Sequence, residues 1–308
     1  MEKNRYEVSI NIDGVIGRYC DSKDEMKENL MLLKEAGLTC LDGMCACNDL
    51  VSSDQWIHDF HEVTEEAGIR VAQTHLPVLG QIEAHNNTPI WKMSEEEKKR
   101  AEIGFRSNAI WGCKNVVVHP QTGWPKSLKG SLCACRAINI DYFKMLLEYA
   151  YKYDVNICLE TMTSFMFAEG NPYDAQGSHY CANPLELKEL HDVLKDEKIK
   201  YCIDTGHLNC DGYNIADTIR LLGEDITVLH MQDNFGFKDN HSLPPFGNID
   251  WREIAHALAG IHYEGTLNFE IQGERMYQLD KEAKLAYLKY TYEMGRYIGR
   301  MINRCEME

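Results

Sequence analysis

A parallel (β/α)8 barrel, the TIM barrel of the α/β class, is the fold that the sequence predicts, as a single domain over residues 1–308. Three observations predict it. Short apolar runs alternate with amphipathic segments through eight repeats, the pattern of βαβ units and hence of parallel sheet. Four of the runs close on an acid or imidazole: Glu160 after VNICL, Asp204 after YCI, His230 after ITVL and Glu270 after LNF. A parallel barrel gathers its active residues at the C-terminal ends of its strands, so one such side chain per strand builds a single divalent-metal site. Finally, 308 residues with 44% hydrophobic content can fill a barrel core, which commonly takes about 250 residues.

In chain order, the expected strands are EVSINID at 7–13, LTCLDGM at 38–44, RVAQTHL at 70–76 and NVVVHP at 115–120. VNICLE at 155–160, KYCIDTG at 200–206, ITVLHMQD at 226–233 and TLNFEIQ at 266–272 complete the set. After the first strand, KDEMKENLMLLKEAG places Met26, Leu30 and Leu33 at helical spacing and stops at Gly37. DQWIHDFHEVTEEAG, EEEKKRAEIGFRSNAIWG and NIDYFKMLLEYAYKY follow the second, third and fourth strands in the same way. The charge run SEEEKKR at 94–100 reads as a solvated helix start. Three connections, 79–94, 121–139 and 161–183, are long and rich in Gly, Pro, Asn and Ser, and they are expected to form the substrate rim as loops.

Composition excludes several classes. The charged N-terminus MEKNRYEVSI does not read as an export signal, and no apolar run approaches the roughly 18 residues of a membrane helix. A soluble cytoplasmic protein with no membrane partner is expected. The 12 cysteines fit reduced thiols, since the chain far exceeds the small secreted scaffolds that need disulfides. Neither Cys45/Cys47 nor Cys133/Cys135 has zinc-ribbon spacing. A net charge of -16 repels polyanions, so no nucleic-acid partner is expected.

The chemistry lies mainly in the second half. Asp204-Thr205-Gly206-His207 turns directly after a strand, and the three-residue offset lets both side chains face one cavity. His230-Met231-Gln232-Asp233-Asn234, Asp239-Asn240-His241 and the turn Pro244-Pro245-Phe246-Gly247-Asn248-Ile249-Asp250-Trp251 follow, while His75 and His119 end the third and fourth strands. These residues outnumber the ligands of one six-coordinate ion, so some of them bind substrate or a second metal. Each has a plainer reading: a strand-end Glu can be a salt-bridge partner, His75 and His119 can be satisfied rim histidines, and Asp239 with His241 can be a solvated turn. Trp124 is either a sugar-stacking platform or a loop anchor, and Lys126, Lys129 and Arg136 either grip a phosphate or are solvated. His58, His61, His191, His256 and His262 lie in helical stretches and read as surface residues.

At Glu160, the D204-T-G-H207 turn, H230-M-Q-D, D239-N-H241, PPFGNIDW and Glu270, the chain resembles the xylose isomerase-like barrels, specifically the sugar phosphate isomerase/epimerase group. The resemblance covers essentially the whole chain. It implies that Glu160, Asp204, His230 and Glu270 ligate one divalent ion, Mn2+ foremost, with Mg2+, Co2+ or Zn2+ as alternatives. It implies that His207 contacts a substrate oxygen, with His75, His119, Trp124 and His241 expected to bind substrate beside it. The turn departs from the group's Gly-x-Gly pattern, because Pro245 stands at the first Gly.

The expected reaction is isomerisation or epimerisation of a small-molecule sugar, sugar phosphate or keto-sugar by proton abstraction next to a carbonyl, through a metal-stabilised enediolate. Glu160 and Glu270 are the expected catalytic bases. A homo-oligomer or a small partner subunit is the expected assembly. Two alternatives stand beside this. One is the catalytic subunit of a lyase that cleaves C-glycosides of keto-sugars. The other is a zinc phosphodiesterase like endonuclease IV, whose nine ligand positions are matched in type and order by His75, His119, Glu160, Asp204, His207, His230, Asp239, His241 and Glu270.

Overall fold

The computed structural model describes residues 5–11, 22–44, 53–77, 79–85, 88–121, 132–164, 180–271 and 278–307. The barrel strands are β1 (Val8–Ile10), β2 (Cys40–Met44), β3 (Arg70–Leu76), β6 (Asn115–Val118), β7 (Asn156–Glu160), β8 (Ile199–Asp204), β9 (Ile226–His230) and β10 (Leu267–Phe269). β4 (Gln81–His85) and β5 (Thr88–Lys92) lie outside the ring. The helices are α1 (Lys23–Ala36), α2 (Asp54–Ala67), α3 (Glu95–Ile110), α4 (Leu132–Tyr153) and α5 (Pro184–Leu194). They continue as α6 (Thr205–Cys210), α7 (Ile215–Leu222), α8 (Trp251–Gly260) and α9 (Lys281–Cys305).

Six strands form a continuous parallel sheet in the order β2-β3-β6-β7-β8-β9, and β1 pairs with β10. Single bridges join the two parts into a ring, from Asn11 to Asp42 on one side and from Met231 to Phe269 on the other. The fold is therefore the expected TIM barrel.

Strand composition explains the layers. A parallel strand covered on both faces is apolar through its middle, as VVV of β6 and ICL of β7 are. Val116, Val118, Ile157, Leu159, Tyr201 and Ile203 pack outward in the main core with the helices. Val117, Cys158, Cys202 and Val228 point the other way and form a separate inner cluster. Two residues further along each of these chain segments come His119, Glu160, Asp204 and His230, which share the inward face one layer higher. The inner cluster is the floor on which the site stands.

Helix limits follow local chemistry. Ser22 accepts from the Glu25 N–H to start α1, which ends at Gly37 with φ 102°. A Cβ there would come within 2.6 Å of the Tyr292 ring on α9, so both conformation and close approach require glycine. Ser94 and Glu97 form a capping box on α3.

Three expectations are corrected. The connection 121–139, expected as a loop, is helix from Leu132, where α4 begins. The stretch 79–94, expected as a loop, contains the antiparallel β4–β5 hairpin, with Gln81 opposite Lys92 and His85 opposite Thr88. Only Asn86 and Asn87 separate the two strands, a spacing that favours a hairpin over an open rim loop. The Gly80 N–H donates to Glu97 Oε1 at 2.9 Å and fixes the hairpin base to α3. The run 200–206 stops as a strand at Asp204, because the Asp204 side chain accepts from the His207 N–H at 2.8 Å and caps α6. No helix among the described residues is long and apolar enough to cross a membrane.

Candidate metal centre

Glu160 ends β7, Asp204 ends β8, His230 ends β9, and Glu270 follows β10. Each offers one ligand atom, and all four atoms lie within 4.8 Å of one another. His230 Nδ1 is 3.0 Å from Glu160 Oε1 and 3.2 Å from Glu270 Oε2. Two further groups flank this one. His75 Nε2 and His119 Nε2 reach the other oxygen of Glu160 at 3.2 and 2.8 Å. On the far side, Asp239 Oδ2 lies 3.4 Å from His207 Nε2 and 2.9 Å from His241 Nε2. Glu160 thus stands between two donor groups, one oxygen to each.

The electrostatics are those of buried charges held close together. Burial raises the Glu160 carboxyl, but His230 and His119 outweigh it and hold the group well below its ordinary range. Glu270 behaves alike: burial raises it, and His230 and His241 bring it down. Asp204 is different, since burial pushes it up to about 7 against the pull of His207, and Glu270, Asp239 and Glu160 add to the rise. Burial lowers His207 and His230, yet their carboxylate neighbours and, for His230, the Cys202 thiol raise both above the ordinary imidazole value. His241 rises to about 9, as its hydrogen bond to Asp239 and the charge of Glu270 overcome burial. His75 and His119 approach Nε2 to Nε2 at 3.0 Å. Burial lowers both rings, Glu160 lifts His75 above its ordinary value, and His119 stays below.

The residues fit a divalent cation. Three carboxylates and one imidazole make a mainly oxygen donor set, which suits Mn2+, Mg2+ or Co2+ and also accepts Zn2+. The Asp204 carboxyl, buried among three other acids, is the group that a dication would relieve of its proton.

Residues 30–290 match the family described as the xylose isomerase-like TIM barrel. The chain belongs to that family. This xylose isomerase-like barrel is 27% identical over 254 residues to D-psicose 3-epimerase of Enterocloster bolteae, covering 80% of the chain and 76% of the relative. It is 29% identical over 177 residues to a probable endonuclease 4 of Metamycoplasma arthritidis, covering 52% of the chain and 57% of the relative. The chain also spans 28% and 57% of the lengths of two uncharacterised proteins, from Sinorhizobium fredii and Methanocaldococcus jannaschii. Among solved structures, the IOLI protein with a bound zinc atom aligns with a TM-score of 0.70 at 17% identity, covering 94% of this chain and 98% of that one. At that identity the likeness is one of fold.

Of the residues singled out in the sequence, this barrel brings together His75, His119, Glu160, Asp204, His207, His230, Asp239, His241 and Glu270. Trp124, Lys126 and Lys129 lie outside the described residues. Arg136 is not free to grip a phosphate from the rim, because α4 carries it against Glu189 of α5, with which it pairs. His191, expected at the surface, is half-buried: its side chain is 15% exposed and it stacks on Tyr201 with ring centroids 4.5 Å apart. Three contributors went unnoticed in the sequence. Asp42 lies 3.6 Å from His230 Nε2, Gln232 bridges Asp204 and Asp239, and Thr161 accepts the His207 ring at its carbonyl and the Asp204 N–H at its hydroxyl.

Proposed function

We propose that this barrel is a divalent-metal-dependent sugar isomerase or epimerase that moves a proton at a carbon next to a carbonyl. The carrying observation is the convergence of Glu160 and Glu270 on one ring nitrogen of His230, at 3.0 and 3.2 Å, from strands three places apart in the ring. Both carboxyls sit below their ordinary range and so are ionised near neutrality, the form a general base requires.

Glu160, Asp204, His230 and Glu270 would hold the ion, which when bound supplies Lewis-acid polarisation of a sugar carbonyl and its neighbouring hydroxyl. One glutamate takes the proton from the carbon between those groups. Return by the other glutamate inverts that carbon, whereas return to the adjacent carbon exchanges aldose and ketose. His207 and His241, both raised in pKa and both anchored through Nε2 on Asp239, would place positive charge beside the substrate oxygens. The 27% likeness to D-psicose 3-epimerase supports a ketose as substrate. We place the barrel, as one domain, in the cytoplasm, where its described cysteines, all free, remain reduced.

Three donor groups around Glu160 and the resemblance to endonuclease 4 favour one second reading, a zinc phosphodiesterase. The net charge of -16 opposes it.

Elemental analysis of the purified chain with solvent-deuterium exchange into free ketoses tests the proposal. About one ion per chain with deuterium uptake is the expected outcome, and Glu160→Gln or Glu270→Gln should slow exchange by ~100–10,000-fold with the fold intact. About three zinc ions, with no exchange and with cleavage of abasic-site DNA, would establish the second reading instead.

A further inference from the structure

Asp42, on β2, lies beneath the four-residue cluster, and we propose that it is the positioning residue of the metal centre: it holds His230 in the tautomer that presents Nδ1 as a ligand. The inference rests on the reading of His230 as a metal ligand. His230 is 0% exposed and enters from β9. Its Nδ1 is the atom beside Glu160 and Glu270, so Nδ1 faces the position of the ion. A neutral imidazole that gives one nitrogen to a metal carries its proton on the other. That other nitrogen, Nε2, is buried with no hydrogen-bond partner among the described residues, and Asp42 Oδ2 stands 3.6 Å from it. A shift of about 0.5 Å brings the two to an ordinary N–H···O bond.

The rest of the layer is built to keep that oxygen in place. Asp42 Oδ2 accepts from Gln73 Nε2 at 3.1 Å and from Asn268 Nδ2 at 3.0 Å. Ser9 Oγ in turn donates to Asn268 Oδ1 at 2.6 Å, which fixes which end of that amide points at Asp42. Strands β1, β2, β3 and β10 therefore combine to hold one carboxylate oxygen under one imidazole. Asp42 is 5% exposed and its hydrogen-bond donors among the described residues are neutral amides, so an N–H on His230 Nε2 would complete the set of donors to Oδ2. The Cys202 thiol also lies near His230 and Glu160, but a thiol is a weak acceptor, and Asp42 is the stronger one within reach.

The test uses the whole chain, stripped of metal, with Co2+ as the probe. Co2+ affinity, the visible spectrum of bound Co2+, and the imidazole 15N–1H correlations of the chain reloaded with diamagnetic Zn2+ are compared in wild type, Asp42→Asn and Asp42→Leu. Circular dichroism and melting temperature serve as controls of folding. The expected result is ~10–100-fold weaker Co2+ binding in D42L, a changed spectrum and loss of the Nε2–H signature of His230. D42N retains an acceptor oxygen and should fall between D42L and wild type. Should D42L fail to fold, D42N decides through the same readouts. Wild-type affinity and an unaltered His230 signal in the folded variants, with only the melting temperature lowered, would overturn the inference and leave Asp42 a structural acceptor. A wild-type chain that binds no Co2+ would instead overturn the ligand reading of His230, and this inference with it.

Discussion

Gln232 donates through Nε2 to both oxygens of Asp204, at 3.2 and 3.3 Å, and to Asp239 at 2.7 Å, while its Oε1 accepts from the His241 N–H at 2.9 Å. The space it occupies is left by Gly206, where a Cβ would lie 2.2 Å from Gln232 Cδ. Gly206→Ala must therefore push the amide aside. The expected outcome is a stability loss of about 1–3 kcal/mol together with weaker Mn2+ binding, read by chemical denaturation and metal titration. Asp204 itself gives a pH prediction. Its folded carboxyl keeps a proton from the ordinary 3.8 up to about 7, so its contribution to the stability of the metal-free chain is present below 3.8 and is lost as pH rises through 7. A bound ion needs the carboxylate and displaces that proton. Apparent Mn2+ affinity should fall by up to ~10-fold per pH unit below about pH 7, with proton release visible by calorimetry in buffers of different ionisation heat. A flat profile would refute it. Glu160, Asp204, His230 and Glu270 were legible because each closes an apolar run. Asp42 closes LTCL in the same way and was equally legible, whereas Gln232 carries no charge and is passed over by any search for ligands.

The loop between β9 and α8 is the element that returns Asp239 and His241 to the site, and Asp233 organises it. Its Oδ1 accepts from the Asn234 and Ile249 N–H groups at 3.0 and 3.2 Å, its Oδ2 from Trp251 Nε1 at 3.1 Å, and its backbone pairs both ways with Ser242. Gly247 is the turn position that cannot change, for a Cβ there would come within 2.2 Å of Asp233 Oδ1 and 2.4 Å of the Asn234 carbonyl. Pro245, where the resemblance led one to expect glycine, leaves that cradle intact. Gly247→Ala should consequently raise the KM for sugar and leave metal binding by Glu160, Asp204, His230 and Glu270 in place. Steady-state kinetics beside a metal titration separates the two, and loss of both together would show that the loop supports the whole centre. The strands were legible because parallel strands buried on two faces have few polar positions. The β4–β5 hairpin was not, since the Gly-, Pro- and Asn-rich composition of 79–94 is that of a rim loop, whereas Gln81–His85 pairs with Thr88–Lys92.

At the scale of the whole molecule, eight repeats announced a closed ring, but not how the ring is joined. Register depends on contacts between the chain's ends, such as Ser9 with Asn268 across 259 positions, and local pattern carries no trace of them. β1 and β10 form a two-stranded unit that meets the six-stranded body through one bridge on each side. Three of the proposed ligands belong to the body, while Glu270 belongs to the seam, its N–H donating to the Met231 carbonyl at 3.1 Å. Contacts of such sequence separation form late, because the loop-closure entropy must be met before they stabilise anything. Glu270 is thus expected to be the last ligand to arrive during folding. On that order a nascent or damaged chain would acquire most of its helices before its ligand set is complete, and high-affinity metal uptake would mark the finished ring. In refolding from denaturant, Mn2+ uptake should lag the helical signal, and uptake in step with that signal would show that the seam closes early.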